Sequence, residues 1–273
     1  MDLNTTETPF VLDGGFGSSL ESFNINVNNN ILWSFESAID HPDIVLQVHK
    51  SFINAAKSAA CDASDNVIVV GSIGPYAIIL RDGSEYNGEY INSISHQLIV
   101  NYYKKQMETM LSTGLDWYAI ETLPTLKEAL IALNVWDSLP LARKKKLWVS
   151  FNCKDKLRTS GNDLFSDCIK KLNTFETISA IGLNCTLPQY IFPLIKSAHS
   201  FTDKPFIVYP NHGEIYDLER HEFQAGNKDT FIDYLEDIPA LFALNVKVFG
   251  GCCRVNSDHI RQIKNVVDRV SQE

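Results

Sequence analysis

The strongest constraint on the fold is an alternation of short apolar runs with longer amphipathic stretches along most of the chain. The apolar runs are four to six residues long and lie at 10–13, 67–72, 117–121, 147–152, 179–184, 206–209 and 246–249. Runs of this kind are typical of parallel strands that helices cover on both faces. Stretches with helical spacing lie between the runs, at 42–64, 94–113, 126–135, 163–172, 188–198, 230–244 and 257–270.

This alternation of strands and helices predicts an α/β fold, either an open sheet or a barrel. A closed (β/α)₈ barrel needs eight strands, whereas the sequence shows seven apolar runs. With 273 residues, of which 45% are hydrophobic, the chain can bury a large core. Because no linker rich in Pro, Gly or Ser interrupts it, we expect one domain over residues 1–273.

Charge and segment composition exclude several classes of partner. The net charge of −9 offers no basic field for nucleic acid or anionic membranes, and we expect the basic run at 143–146 to be an exposed loop or helix end. No stretch has the length and apolar character of a membrane helix, and residues 1–10 do not resemble a signal peptide. We therefore expect a cytoplasmic protein whose thiols stay reduced.

Polar residues, glycines and thiols are concentrated where the predicted strands end. Asp13 precedes Gly14 and Gly15, Glu121 ends the third run, Cys185 follows the fifth, and the sequence GGCC follows the last. Ligands of α/β folds bind at the carboxyl ends of parallel strands. The sequence therefore predicts a functional site built from several separate strand ends.

Three of the six cysteines lie at these strand ends: Cys185, Cys252 and Cys253. Three thiolates can bind Zn²⁺ and leave its fourth tetrahedral position open, as catalytic zinc sites do. Adjacent residues of a regular strand point to opposite faces, so we expect Gly250 and Gly251 to permit a bend that turns both thiols inward.

Other interpretations of the thiols are open. Isolated cysteines usually behave as small buried hydrophobes, which is our interpretation of Cys61, Cys153 and Cys168. A disulfide between Cys252 and Cys253 would be strained and is disfavoured in a reducing compartment. A thiol redox protein is also disfavoured, because redox pairs usually have CxxC spacing.

Six segments together resemble the homocysteine S-methyltransferase family of zinc-dependent (β/α)₈ barrels. They are VLDGGFGSSLE (11–21), GSIGPYAIILRDGSEYNGEY (71–90), AIETLPTLKEA (119–129), IGLNC (181–185), IVYPNHGEIYD (207–217) and GGCCR (250–254). They occur in the family's order over nearly the whole chain. The second segment is more similar to the branch that uses S-methylmethionine or S-adenosylmethionine than to the betaine-using branch.

The resemblance implies a role for each matching position. Cys185, Cys252 and Cys253 match the family's zinc ligands, and the open zinc position would take the sulfur of homocysteine. Asp13 and Glu121 match positions that hold the amino end of homocysteine, and the turn at Gly14 and Gly15 would bring backbone close to the substrate. On the residues alone, Asp13 can equally be a turn former, and Glu121 can be paired with a basic side chain.

Three further residues and the assembly state also carry expectations, of which the role of Tyr86 comes from the resemblance and those of His212 and Arg254 from the residues themselves. Tyr86 would help to form the donor pocket, and His212 lies at a strand end of the site. Arg254 is expected to form a structural ion pair. We expect a monomer, because the chain has no segment resembling the dimerisation arm of the betaine-using enzymes.

One part of the family pattern is missing. In the family, a second strand and helix follow the first long helix. Here only residues 57–66 separate the helical segment 49–56 from the strand at Val67, which is too short for a strand, loop and helix. The sequence therefore predicts an incomplete or distorted barrel of about seven strands.

Two functions follow from these observations. The first is zinc-dependent transfer of a methyl group from a sulfonium donor to homocysteine. The second is a catalytically impaired or inactive zinc-binding relative that lacks part of the homocysteine pocket. Activity with homocysteine and S-methylmethionine separates the two.

Overall fold

The structure is a computed structural model that describes residues 3, 5–25, 34, 36–56, 67–217, 222–224, 226 and 229–272. Its strands are β1 (Phe10–Val11), β2 (Val70–Ile73), β3 (Trp117–Leu123), β4 (Lys146–Phe151), β5 (Ile178–Asn184), β6 (Phe206–Tyr209), β7 (Ile215–Asp217), β8 (Glu222–Gln224) and β9 (Val246–Phe249). Its α-helices are α1 (Phe16–Glu21), α2 (Ser37–Asp40), α3 (Pro42–Ala56), α4 (Ala77–Leu80), α5 (His96–Leu111), α6 (Leu126–Ser138), α7 (Phe165–Leu172), α8 (Pro188–Ala198), α9 (Asp229–Ala243) and α10 (Ser257–Val270). Short 3₁₀ helices lie at Ser84–Tyr86, Glu89–Asn92, Pro140–Lys144 and His199–Phe201.

Seven of the strands form one sheet in the order β1-β9-β6-β5-β4-β3-β2. Strand β1 pairs in parallel with β9, and β2, β3, β4 and β5 pair in parallel in succession. All seven strands predicted from the sequence are therefore confirmed. Within the described residues no strand lies between β1 and β2 along the chain, and these two strands end the sheet order. The fold is α/β and corresponds to an incomplete (β/α)₈ barrel with seven strands.

Backbone contacts divide the chain into two compact units. Unit 1 comprises Met1–Asn4, Ile68–Thr186 and Tyr190–Ile207. Unit 2 comprises Thr5–Val67, Leu187–Gln189 and Val208–Glu273. The single domain over residues 1–273 stays a prediction.

The centre of unit 1 is the group of strands β3, β4 and β5. In β4 every residue after Lys146 is buried, because neighbouring strands and helices surround it. Tyr118 of β3 packs against Trp136 of α6, with ring centroids 5.4 Å apart. Helix α6 begins where the Thr125 hydroxyl accepts a hydrogen bond from the Glu128 amide at 3.1 Å, a typical N-cap. This cap fixes the start of α6 directly after the end of β3.

Unit 2 joins the two ends of the chain. Phe10 of β1 is in register with Val248 of β9. Helix α10 begins at a capping box, in which Asn256 and His259 each satisfy a backbone amide of the first turn. Its buried residues, Ile260, Ile263 and Val267, recur at helical spacing and form one apolar face.

The structure adds some elements to the prediction and limits one. Helices α1 and α4 and the antiparallel hairpin of β7 and β8 were not predicted, because each is too short to show a period. The predicted helix 42–64 is confirmed as far as Ala56, and its remainder lies outside the described residues. The basic run 143–146 closes a 3₁₀ helix and opens β4, which confirms it as a helix end. Within the described residues, no helix has the length and apolar character needed to cross a membrane.

Candidate functional site

The two cysteines of unit 2 lie in an irregular segment that follows β9. The amide of Gly250 donates to the carbonyl of Val208 at 2.9 Å, and the amide of Cys252 donates to the carbonyl of Pro210 at 2.7 Å. The chain then turns at Arg254, whose φ of 66° is left-handed. Irregular backbone at the two cysteines is therefore confirmed, as expected for adjacent residues that act together.

The reason for the two glycines differs from the one predicted. Neither Gly250 nor Gly251 has a positive φ, so neither supplies the left-handed bend. Instead, a Cβ at Gly250 would lie 2.6 Å from the Cβ of Leu12, and one at Gly251 would lie 2.1 Å from Cγ1 of Val255. The glycines are needed because neighbouring groups pack directly against the backbone there.

The loop at 13–15 contacts the backbone of residues 251–255 within unit 2. The amide of Gly251 donates to the carbonyl of Asp13 at 3.1 Å, and the amide of Gly15 donates to the carbonyl of Val255 at 2.8 Å. A Cβ at Gly15 would lie 2.5 Å from the carbonyl oxygen of Cys252. Within unit 2, the structure thus places the 13–15 loop in backbone contact with the segment that carries Cys252 and Cys253.

Asp13 is exposed as a whole residue, but its carboxyl group lies among atoms that partly exclude water. Its residue surface is exposed, yet burial among surrounding atoms raises the pKa of its carboxyl above the usual value, and a weaker backbone hydrogen bond lowers it. The substrate-binding role of Asp13 and its alternative role as a turn former both stay predictions.

Two further residues of the GGCCR and YPNHGE segments have structural contacts in unit 2. Arg254 pairs with Glu21, with Nη1 and Oε2 2.5 Å apart, which confirms it as an ion-pair residue. The amide of His212 donates to the carbonyl of Cys253 at 3.1 Å. The His212 ring stacks on His259 with centroids 4.1 Å apart. His212 therefore supports the backbone of Cys253.

The carboxyl edge of unit 1 holds Glu121 and Cys185. The hydroxyl of Ser72, in β2, donates a hydrogen bond to Oε1 of Glu121. The alternative that Glu121 also pairs with a basic side chain stays a prediction. Cys185 directly follows β5 and has a left-handed φ of 46°. Both residues are partly exposed at the ends of their strands.

Asn184 links these strand ends and was not predicted as a site residue. Its Oδ1 accepts hydrogen bonds from the Thr122 amide and the Ser150 hydroxyl, both at 2.8 Å. Its Nδ2 donates to Oγ1 of Thr122 at 2.6 Å. The signal in the sequence was an asparagine at the end of an otherwise apolar strand, where a buried amide must find partners.

The segment that contains Tyr86 is held by the buried carboxyl of Glu128, which was not predicted as a functional residue. Glu128 is completely buried on α6. It accepts hydrogen bonds from the Tyr90 hydroxyl, from the Tyr103 hydroxyl at 2.9 Å and from the Tyr76 amide at 2.7 Å. Burial raises the pKa of Glu128, while these hydrogen bonds lower it less strongly. Glu128 thereby fixes both ends of the 76–90 segment in unit 1.

The remaining described cysteines are more deeply buried than the three at the strand ends. Cys153 and Cys168 are buried, and burial raises the pKa of both thiols. This confirms them as core residues, whereas Cys61 lies outside the described residues. Cys185, Cys252 and Cys253 are each partly exposed. Cys253 is a free thiol. Cys185 and Cys252 are disulfide-bonded in the structure, which differs from the expectation that these thiols are reduced. Both must be reduced before they can bind a metal as thiolates.

Comparison with known proteins identifies related sequences over most of the chain. The family model described as homocysteine S-methyltransferase matches residues 10–59 and 53–267. Homocysteine S-methyltransferase YbgG of Bacillus subtilis (strain 168) is 29% identical over 299 residues, with 93% of this chain and 92% of the relative covered. Selenocysteine Se-methyltransferase of Brassica oleracea var. italica is 29% identical over 317 residues, with 96% and 90% covered.

A solved structure shares the fold. The metallated form of the homocysteine methyltransferase MmuM from Escherichia coli superposes with a TM-score of 0.78 at 23% identity. The match covers 96% of this chain and 97% of that chain. The sequence alignments, at 299 and 317 residues, are longer than this chain of 273 residues, so the relatives carry internal residues that this chain lacks. The two parts of the family match overlap at residues 53–59, where the segment 57–66 that is too short for a strand and helix begins.

Proposed function

Because the chain belongs to the homocysteine S-methyltransferase family, we propose that it transfers a methyl group from S-methylmethionine or S-adenosylmethionine to the thiol of homocysteine, giving methionine. The observation that carries the proposal is the contact of the 13–15 loop with the cysteine-bearing segment of unit 2. That contact brings the backbone of Asp13, whose carboxyl is proposed to bind an amino group, to the segment whose thiols are proposed to bind a metal.

We propose that Cys185, Cys252 and Cys253 bind one Zn²⁺. The three sulfur atoms are a donor set that could hold a metal ion once Cys185 and Cys252 are reduced, and thiolate ligands favour zinc over harder cations such as Mg²⁺. The fold relative MmuM is described in a metallated form. Three protein ligands would leave a coordination position for the substrate, as in catalytic zinc sites.

The surroundings in unit 2 fit a cation. Asn211 follows Pro210, which binds the Cys252 amide. The amide oxygen of Asn211 is buried and has no hydrogen-bond partner among the described residues. Buried amide oxygens usually have a partner, so an unpaired one on the same loop is consistent with a nearby cation. The donor set and this oxygen therefore both fit the metal.

The chain's own residues would bind and orient homocysteine. Asp13 and Glu121 are proposed to bind its amino group, whose positive charge would favour the ionised form of the Asp13 carboxyl. The turn at Gly14 and Gly15 is proposed to bring backbone close to the substrate. A bound Zn²⁺ supplies one property, a coordinated thiol that stays deprotonated at neutral pH.

The methyl transfer itself needs alignment more than acid–base catalysis. A sulfonium donor already carries an activated methyl group, and the thioether that leaves is neutral and needs no proton. The rate gain then comes from holding the two sulfur atoms and the methyl carbon in line. The 76–90 segment, fixed by Glu128 and carrying Tyr86, is proposed to form the donor side of the pocket.

Two measurements on one purified sample test the function. We expect about one zinc per chain by elemental analysis, on a gel-filtration peak that also reports whether the protein is monomeric. We expect methionine formation from homocysteine with at least one of the two donors, assayed separately. The Cys252→Ser variant should lose zinc and activity, whereas Cys168→Ser, a change at a buried core thiol, should keep zinc.

The outcomes separate the two functions. Zinc without methionine formation from either donor would identify a zinc-binding relative that has lost the reaction. Neither zinc nor methionine in a folded, reduced sample would remove both the metal and the enzyme proposals. Zinc that persists in the Cys252→Ser variant would reject the proposed ligand set.

A further inference from the structure

The side-chain amide of Asn184 connects the ends of three strands in unit 1 by hydrogen bonds. Asn184 is the last residue of β5 and only 1% of its surface is exposed. It contacts Thr122 at the end of β3 through two hydrogen bonds and Ser150 of β4 through a third. One side chain therefore connects β3, β4 and β5 at the edge where the proposed site lies.

The backbone that Asn184 holds is in an uncommon conformation. Thr122 has a φ of 62°, and β-branched residues rarely adopt the left-handed region. The pairing register of β3 with β4 also shifts between Ile120 and Leu123, so the strand bulges there. Such conformations persist only when surrounding contacts enforce them, and they re-aim neighbouring side chains. The neighbour of Thr122 is Glu121.

Asn184 binds Thr122 in a way that specifies this conformation. The Oδ1 of Asn184 accepts a hydrogen bond from the Thr122 amide, and its Nδ2 donates one to the Thr122 hydroxyl oxygen. The backbone amide and the side-chain hydroxyl of Thr122 are therefore both bound. An aliphatic side chain of similar size would leave both groups without these partners. The arrangement explains why an amide occupies a position in an otherwise apolar strand.

The backbone on the other side of Asn184 leads directly to a proposed zinc ligand. Cys185 follows with a φ of 46°. Thr186 then anchors the turn: its Oγ1 donates to the Asn184 carbonyl at 3.0 Å and accepts from the Cys153 amide at 2.9 Å. Cys185 is thus placed between two residues whose positions are fixed by buried hydrogen bonds.

We propose that Asn184 is a positioning residue that fixes the side-chain orientation of both Glu121 and Cys185. It would thereby control homocysteine recognition without contacting the methyl donor. The inference rests on the proposed function, since it assigns Glu121 and Cys185 to homocysteine. It adds a residue that acts on both through the backbone. Its distinguishing consequence is a selective effect on one of the two substrates.

The first test compares Asn184→Ala with Asn173→Ala, a matched control in the same unit. Asn173 follows α7 and accepts a hydrogen bond from Thr202 at 2.7 Å. For Asn184→Ala we expect the KM for homocysteine to rise about tenfold, the loss of one to two net hydrogen bonds, while the donor KM stays within about twofold. Asn173→Ala should change neither KM. Equal changes of both KM values in Asn184→Ala would overturn the proposal.

The second test does not depend on activity. Hydrogen exchange in peptides covering 119–123 should quicken in Asn184→Ala and stay unchanged in Asn173→Ala. Adding Thr122→Gly, which tolerates a positive φ without a side chain, should make the combined loss of unfolding free energy smaller than the sum of the single losses. Additive losses with unchanged exchange would show that Asn184 does not hold the turn. If Asn184→Ala does not fold, Asn184→Asp replaces it, because aspartate keeps the acceptor oxygens and loses the Nδ2 donor.

The two tests separate failure of this inference from failure of the proposed function. A wild-type protein that does not methylate homocysteine would reject the proposed function, and exchange together with the double-mutant cycle would still decide the role of Asn184. An active wild-type protein with an unselective Asn184→Ala variant would reject only the positioning role.

Discussion

Replacing Glu128 with alanine should be among the most damaging single changes in unit 1. Glu128 is completely buried and accepts hydrogen bonds from two tyrosine hydroxyls and one backbone amide. Alanine would leave the hydroxyls of Tyr90 and Tyr103 and the amide of Tyr76 without this acceptor. Tyr76 and Tyr90 lie at the two ends of the 76–90 segment, which we propose to form the donor side of the pocket, and Tyr103 lies on α5.

The size of the effect follows from these three donors. A buried donor left without a partner costs about 1–3 kcal/mol. Loss of the buried carboxylate's own desolvation offsets part of the total, so we expect Glu128→Ala to lower the free energy of unfolding by about 3–5 kcal/mol. The matched control is Glu108→Ala on α5, whose carboxylate is 55% exposed and lies 4.0 Å from Lys104; it should cost under about 0.5 kcal/mol.

The dependence on pH gives a second, independent signature. Burial raises the pKa of folded Glu128 above its usual value of 4.5. As pH rises above that value, the unfolded chain loses the Glu128 proton first and binds fewer protons than the folded chain. This group therefore makes the folded protein less stable between pH 4.5 and its raised pKa. Glu128→Gln cannot titrate, so its destabilisation relative to wild type should shrink as pH rises.

Urea unfolding at pH 5 and pH 8, followed by tryptophan fluorescence and far-ultraviolet circular dichroism, measures both effects. Coincident transitions from the two probes would justify a single free energy of unfolding. A cost below about 1 kcal/mol for Glu128→Ala would refute the reasoning, because three buried donors cannot lose their acceptor so cheaply. An unchanged difference between Glu128→Gln and wild type at the two pH values would refute the raised pKa.

Three further predictions follow from the geometry. Gly15→Ala would place a Cβ 2.5 Å from the Cys252 carbonyl, so we expect loss of zinc and a decrease of about 1–3 kcal/mol in unfolding free energy; full zinc content by elemental analysis would contradict this. Burial raises the thiol pKa of Cys153 and Cys168, so in native protein we expect iodoacetamide to modify both at least ~10-fold more slowly than the free, partly exposed Cys253 in metal-free protein, with rates read by mass spectrometry. Asn256→Ala removes the α10 capping box and should cost about 1 kcal/mol in urea unfolding, whereas Asn256→Ser should restore most of the loss.

The strands and the strand-end residues were predictable because each depends on local sequence. Near-continuous apolar runs identified all seven strands of the sheet, and the polar residues at their ends are the residues of the proposed site. The number of strands was also predictable, since residues 57–66 are too few for a strand and helix. These inferences needed only the length and composition of segments, which the sequence gives directly.

The supporting residues were not predictable, because their roles depend on partners distant in sequence. Asn184 binds Thr122 across 62 positions, and Glu128 binds Tyr76 across 52. Gly250 and Gly251 were expected to supply a bend, but the structure shows that they make room for Leu12 and Val255. Close approach of this kind is set by tertiary packing, which a single sequence does not specify.

The pairing of β1 with β9 has a consequence for synthesis of the protein. Lys247 donates a hydrogen bond to the carbonyl of Thr6 at 3.3 Å across 241 positions, so the first strand cannot pair until the last has left the ribosome. At about 5–20 residues per second, that delay is on the order of tens of seconds. Unit 1 draws most of its residues from the continuous stretch Ile68–Thr186 and can fold during this interval. The backbone contacts between the Asp13 loop and the cysteine-bearing segment can therefore form only after residue 255 has been made.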